Sequence, residues 1–164
     1  MEPQPNTEPH ARPKRLLPPV ALLLSIAAMI ALDAWLPIVE LPAASPWDAW
    51  LRWLGWAAIV AALTVNSAIA LSFKRRGTTV FPFRESSVLV TGGLFRRTRN
   101  PIYVSMVVVL LGVAAVLGSL GPLVVVPLFM LWITHNVIRV EEQMLTAAFG
   151  DDYHDYQRRV RRWI

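Results

Sequence analysis

Four apolar runs dominate this chain of 164 residues and decide what it can fold into: about Pro18 to Leu36, Trp50 to Phe73, Pro101 to Gly118 and Pro122 to Ile138. A helix needs about 20 apolar residues to cross a bilayer. In hydrocarbon, backbone polar groups must be satisfied within the segment, which selects helices over isolated strands. The runs therefore predict an all-α integral membrane protein with about four transmembrane helices. The Gly118-Ser119-Leu120-Gly121-Pro122 turn is short, so spans three and four form a helical hairpin. At this length there is room for one domain, expected over 16–164, after a polar, Pro-rich tail over 1–15 that reads as disordered and cytoplasmic.

The placement of charge orients the spans. Arg12, Lys14 and Arg15 precede span one; Lys74, Arg75, Arg76, Arg84, Arg96, Arg97 and Arg99 separate spans two and three; Arg158, Arg159, Arg161 and Arg162 follow span four. The opposite loops carry few basic residues, Arg52 at the edge of span two being the exception. Both termini and the central loop are thereby expected on the cytoplasmic side. Trp50, Trp53 and Trp56 form an aromatic belt at the other interface. A signal peptide is the rival reading of the first run, but the run is long and no small-residue cleavage site follows it. A plasma (inner) membrane is the plain expectation for the location.

The balance of +5 and pI of about 10.4 could suit nucleic acid, but the basic residues flank apolar ends, as they do beside anionic lipid. No nucleic-acid partner is expected. Cysteine is absent, which removes disulfides, thiolate ligands and Cys nucleophiles. Three scattered histidines (His10, His135, His154) predict no metal site. Beyond span four, Glu141, Leu145 and Phe149 recur at helical spacing, with Gly150 a stop and Asp151 a fresh cap. Tyr153, Tyr156, Val160 and Trp163 make a second apolar stripe. A C-terminal amphipathic cytoplasmic helix is expected, lying on the membrane or packed back on the central loop.

Two polar clusters meet at the cytoplasmic ends of the hairpin. Asn100-Pro101 is a good helix start, Asn to cap and Pro at a position that needs no N–H. It reads either as a boundary cap or, with Arg97 and Arg99 beside it, as a site for a carboxylate or phosphate. Tyr103 is an interfacial tyrosine or a ligand contact on nearly the same face as Asn100. Glu141 and Glu142 form a solvated face or a binding pair, since adjacent residues point about 100° apart. His135 and Asn136, near the inner end of span four, call for hydrogen bonds to a neighbouring helix or for a function. The Gly92-Gly93 pair is an ordinary turn or a place where a ligand meets backbone.

In order, Val88-Leu89-Val90-Thr91-Gly92-Gly93-Leu94-Phe95, Arg99-Asn100-Pro101-Ile102-Tyr103, Glu141-Glu142 and Phe149-Gly150-Asp151-Asp152-Tyr153-His154-Asp155-Tyr156-Gln157-Arg158-Arg159-Val160 resemble the isoprenylcysteine carboxyl methyltransferase family. That family is related to the membrane phospholipid N-methyltransferases. The resemblance covers about Ser86 to Ile164. It implies an integral membrane methyltransferase that uses S-adenosylmethionine without a Rossmann domain. Val88, Leu89, Val90 and Phe95 would then line the nucleoside region, and Asn100, Pro101, Ile102, Tyr103 and Glu141 would hold the cofactor. Two positions depart from the family: Asn100 stands where it has histidine, and Val137 where eukaryotic isoprenylcysteine enzymes carry a substrate-linked arginine.

The implied reaction is direct methyl transfer to a lipophilic acceptor from the bilayer, either the carboxylate of a prenylcysteine-like compound or an amine or hydroxyl of a lipid. An amine or hydroxyl would need a base, for which Glu142 is the candidate; Arg139 or Arg99 could replace the missing substrate arginine. The competing classes are a small four-helix transporter, which usually carries an ionisable group near the midplane, and a non-catalytic scaffold.

Overall fold

The computed structural model describes residues 16–35, 46–75 and 89–164. The expected N-terminal tail, Val88 and most of the central loop lie outside them. Helix α1 is Pro18–Trp35, α2 Pro46–Arg75 and α3 Pro101–Leu117; α4, Val125–Ile133, follows a 3-10 turn at Gly121–Val124. A π-helical turn, Thr134–Ile138, joins α4 to α5, Arg139–Arg159. The described residues are all-helical, without strands. The helical path that begins at Gly121 carries on past Ile138 into α5, so the C-terminal helix continues span four, as expected, up to an interruption at Gly150. Gly150 interrupts the helix as expected: its φ of 52° is left-handed, and the helix resumes at Asp151 after a kink.

Among the described residues, three helices are long and apolar enough to cross a membrane; α3, at 17 residues, is shorter. Its reach of about 25 Å falls short of a hydrocarbon core of about 30 Å. It is also the central helix, with Tyr103, Met106, Val109, Leu110, Gly112 and Ala114 among its buried residues, and α1, α2 and α4 pack around it. Met29 of α1 and Phe129, Ile133, Val137 and Ile138 close the core from the other helices. Between α1 and α4 runs an apolar groove of about 810 Å³, walled by Ala21, Ser25 and Ala28 opposite Val125, Leu128 and Trp132.

The tightest seam is α2 on α3. A Cβ placed on Gly55 would lie 2.6 Å from the Gly112 carbonyl oxygen, and one on Gly112 would lie 2.8 Å from the Gly55 oxygen. Small residues let backbones approach where lipid gives no hydrophobic incentive to associate. The seam carries polar bonds as well. Ser105 bonds the Asn66 side chain at 2.6 Å and the Ile102 carbonyl at 2.8 Å. At the other end Arg52 donates to the Val116 carbonyl at 2.9 Å. A cation at a helix C-terminus meets the negative end of the dipole, which gives the isolated basic residue on that side a reason to be there.

Candidate functional site

Proline at the first helical position and the absence of a preceding helix leave the first-turn N–H groups of α3 without intrahelical acceptors. Asn100 occupies the cap position, yet its side chain makes no capping bond. Its amide instead donates to the Arg162 carbonyl at 3.0 Å, and its own N–H is taken by Thr98 Oγ1 at 3.1 Å. A capping asparagine predicted from sequence is thus a tether to the C-terminal tail.

One turn along α3, the buried Tyr103 donates its hydroxyl to Glu141 Oε1 at 2.8 Å. The two residues come from opposite arms of the hairpin, 38 positions apart in sequence. Burial pushes the Glu141 carboxyl up to about 7; the Tyr103 hydrogen bond opposes that shift and the neighbouring Glu142 charge adds to it. Both arginines of the cluster address Glu142. Arg162 meets its two oxygens at 2.9 and 2.7 Å, and Arg99 Nη1 lies 3.1 Å from Oε1. Among the described residues, then, Glu141 is a half-buried carboxyl with a hydroxyl partner and no ion pair.

The tail beyond α5 completes this end of the bundle. The Arg99 N–H donates to the Arg161 carbonyl at 2.9 Å, Thr98 Oγ1 to the Arg162 carbonyl at 3.1 Å, and Trp163 packs on the core. Tyr156 donates to the Phe95 carbonyl at 2.7 Å, and Phe95 in turn faces the Phe73 ring at 5.7 Å. Of the two expected placements for the aromatic stripe, Tyr156 takes the one packed back on the central loop. Burial raises the Tyr156 hydroxyl to about 12 and raises that of the fully buried Tyr153 as well.

The sequence-derived residues therefore separate. Asn100, Pro101, Ile102, Tyr103, Glu141 and Glu142 converge, and Leu89, Val90 and Phe95 are partly buried in the segment leading to α3. Gly93, at φ 62°, opens a 3-10 turn, and a Cβ on Gly92 or Gly93 would touch nothing within 4 Å. These glycines serve the turn, not a close contact within the chain. Arg139 is exposed, and a two-residue step of about 200° puts it across the helix from Glu141. Val137 is fully buried in the core. Arg162 and Thr98 were not singled out from sequence. The signal for Arg162 was a four-arginine C-terminus facing an unexplained glutamate; Thr98 gave none.

His135 and Asn136 both bond carbonyls one turn back in their own helix. His135 Nδ1 pairs with the Leu131 carbonyl at 2.9 Å, Asn136 donates to that of Trp132 at 2.9 Å, and Thr134 to that of Met130 at 2.6 Å. A π turn bonds i to i+5, which loosens the carbonyls of the preceding turn, and three successive polar side chains cover them.

A phospholipid methyltransferase family model matches residues 50–152. An uncharacterized protein of Haemophilus influenzae is 36% identical over 63 residues, which are 38% of this chain and all of that protein. The fold is similar to that of the eukaryotic intramembrane Ras methyltransferase, an isoprenylcysteine carboxyl methyltransferase, with a TM-score of 0.60 and 22% identity. That likeness covers 87% of this chain but only half of the Ras enzyme. With helices fit to cross a membrane and a family match from α2 to the kink of α5, this chain belongs to the phospholipid methyltransferase family of integral membrane methyltransferases.

Proposed function

We propose that the protein transfers a methyl group from S-adenosylmethionine to a lipophilic acceptor drawn from the bilayer, at the cytoplasmic end of the hairpin. The observation that carries this reading is Glu141, a half-buried carboxyl bonded to Tyr103 and left without a cation among the described residues while both nearby arginines go to Glu142. A buried anion without a counter-charge is costly, and a cationic ligand removes the cost. The cofactor carries such charges in its sulfonium and ammonium groups. Its carboxylate has a match too: the open first turn of α3, beside an Arg99 whose buried Nε lacks an acceptor among the described residues. Leu89, Val90 and Phe95 fit the nucleoside side, and the outlying Val88 belongs with them by sequence position.

The bound cofactor supplies a methyl group already activated on sulfur. This chain's part is to orient, to exclude water and to balance charge. Tyr103 fixes the Glu141 carboxylate by donating to it, and the tail bonds across the start of α3. A carboxylate acceptor needs no base. Glu142, held by two arginines, is poorly placed to accept a proton from an amine or hydroxyl. This favours acceptors that arrive already nucleophilic. The side is assigned by the basic loops and tail.

Calorimetric titration of purified protein with S-adenosylmethionine, in detergent and in lipid, tests the reading. Saturable binding is expected; none in either medium, with the fold intact, overturns it. Affinity is also expected to depend on pH through Glu141, whose carboxyl titrates near 7 in the free protein. A cation binds the ionised form, so affinity falls about tenfold for each pH unit below 7 and levels off above it. The effect on the free protein runs the opposite way. A carboxyl raised above its unfolded value stabilises the fold fully only below that unfolded value, and the contribution is lost as pH rises through about 7. Thermal melts of ligand-free protein from pH 5 to 8 are expected to show that decline, and Glu141→Gln is expected to flatten both profiles.

A further inference from the structure

Glu142 adjoins Glu141 in the chain and shares Arg99 with the proposed cofactor site, but its own partners are the two arginines. Its carboxylate is 12% exposed and is shared between two chain segments. Arg99 belongs to the segment that leads into α3, and Arg162 to the tail that leaves α5. The same two segments are stitched by three further bonds: Arg99 N–H to the Arg161 carbonyl, and the Thr98 hydroxyl and Asn100 amide to the Arg162 carbonyl. Trp163 anchors the far side on the core. Every one of these bonds ends on Thr98, Arg99 or Asn100, the residues that set where the first turn of α3 begins. Glu142 itself is the next residue after Glu141, so a shift of one moves the other.

We propose that Glu142 is a positioning residue: it straps the C-terminal tail across the start of α3, and the strapped tail gives Asn100–Tyr103 and Glu141 their cofactor-binding geometry. The proposal rests on the cofactor reading above. Neutralising Glu142 leaves Arg99, 12% exposed, without its counter-charge and frees the half-exposed Arg162 to turn to water, so the tail should spend much of its time undocked. Apparent affinity is the intrinsic affinity scaled by the docked fraction. If docking drops to about one part in ten, the dissociation constant rises about tenfold. Linkage demands the converse as well: whatever the docked tail does for the cofactor, the cofactor does for the docked tail.

Two measurements on the full-length protein in lipid decide the matter. The first is trypsin cleavage within Arg158–Arg162, followed by mass spectrometry; the second is S-adenosylmethionine affinity by calorimetry. In the wild type, cleavage is expected to be slow and slower still with saturating S-adenosylmethionine. In Glu142→Gln and in Arg162→Ala it is expected to be fast, with affinity about tenfold weaker. The double variant is expected to be no weaker than the worse single one, because both act through one strap. Arg162→Lys, which keeps the charge and loses the paired geometry, should recover part of the affinity, a response that general unfolding would not give. Faster tail cleavage in Glu142→Gln with wild-type affinity overturns the strap and leaves the cofactor reading standing. Wild-type protein that binds no S-adenosylmethionine overturns the cofactor reading and the strap's role in it together.

Discussion

Glu141→Gln is expected to weaken S-adenosylmethionine binding by about two orders of magnitude while leaving the fold intact. The glutamine keeps its shape and can still accept the Tyr103 hydroxyl proton, so the 2.8 Å contact between the hairpin arms survives. What disappears is the buried negative charge. Loss of one member of a desolvated charge pair costs about 2–5 kcal/mol in binding, and about 2.7 kcal/mol already corresponds to a hundredfold. The ligand-free variant should melt at or above the wild-type temperature, since an uncompensated buried carboxyl is removed. Tyr103→Phe separates geometry from charge: it loses one hydrogen bond, about 1.5–3 kcal/mol when the acceptor is ionised, and leaves the carboxylate in place. Wild-type affinity in Glu141→Gln would remove this residue from the site.

Gly55→Ala should have the largest effect on the fold. The new methyl carbon would stand 2.6 Å from the Gly112 carbonyl oxygen, 2.9 Å from Val116 Cγ2 and 3.1 Å from Ala115 Cβ. A side chain could turn aside, but a backbone oxygen within a helix moves only with the helix. The α2–α3 seam has to open, at a cost of about 1–3 kcal/mol for overpacking a filled interface. Because α3 is the helix that presents Tyr103, the opening reaches the site: Asn66 and Ser105 lie on the same seam, toward the Tyr103 end. A lowered thermal midpoint in detergent, with cofactor affinity reduced in parallel, is the expected result. An unchanged midpoint would show that the seam is looser than this spacing.

The spans and the hairpin were legible in the sequence because hydropathy is a property of composition, which survives without knowledge of any contact. The convergence of Tyr103 with Glu141 was legible in outline: a short turn returns both arms to one face. Which glutamate bonds the tyrosine was not, since adjacent residues differ by only about 100° and tertiary packing chooses between them. The capping bond expected of Asn100 is absent for a related reason. Local capping chemistry is encoded in neighbouring residues, whereas the competing acceptor, the Arg162 carbonyl, lies 62 positions away and leaves no local trace. Of Arg139 and Arg99, the two stand-ins for the family's arginine, Arg139 is near in sequence but helical phase puts it across from Glu141, while Arg99 lies beside Glu142.

The π turn at Thr134–Ile138 sets the count of residues between core and site. One added residue in a helix displaces everything beyond it by about 100°. Ile133 and Val137 face the core before and within the turn, and Glu141 meets Tyr103 after it. Without the insertion the side chain opposite Tyr103 would be a different one. The carboxylate in this helix is therefore numbered from the bulge, not from the span. A sequence aligned to this one without a gap at Thr134–Ile138, but folding as plain α-helix there, would have its acidic pair assigned one place out of phase.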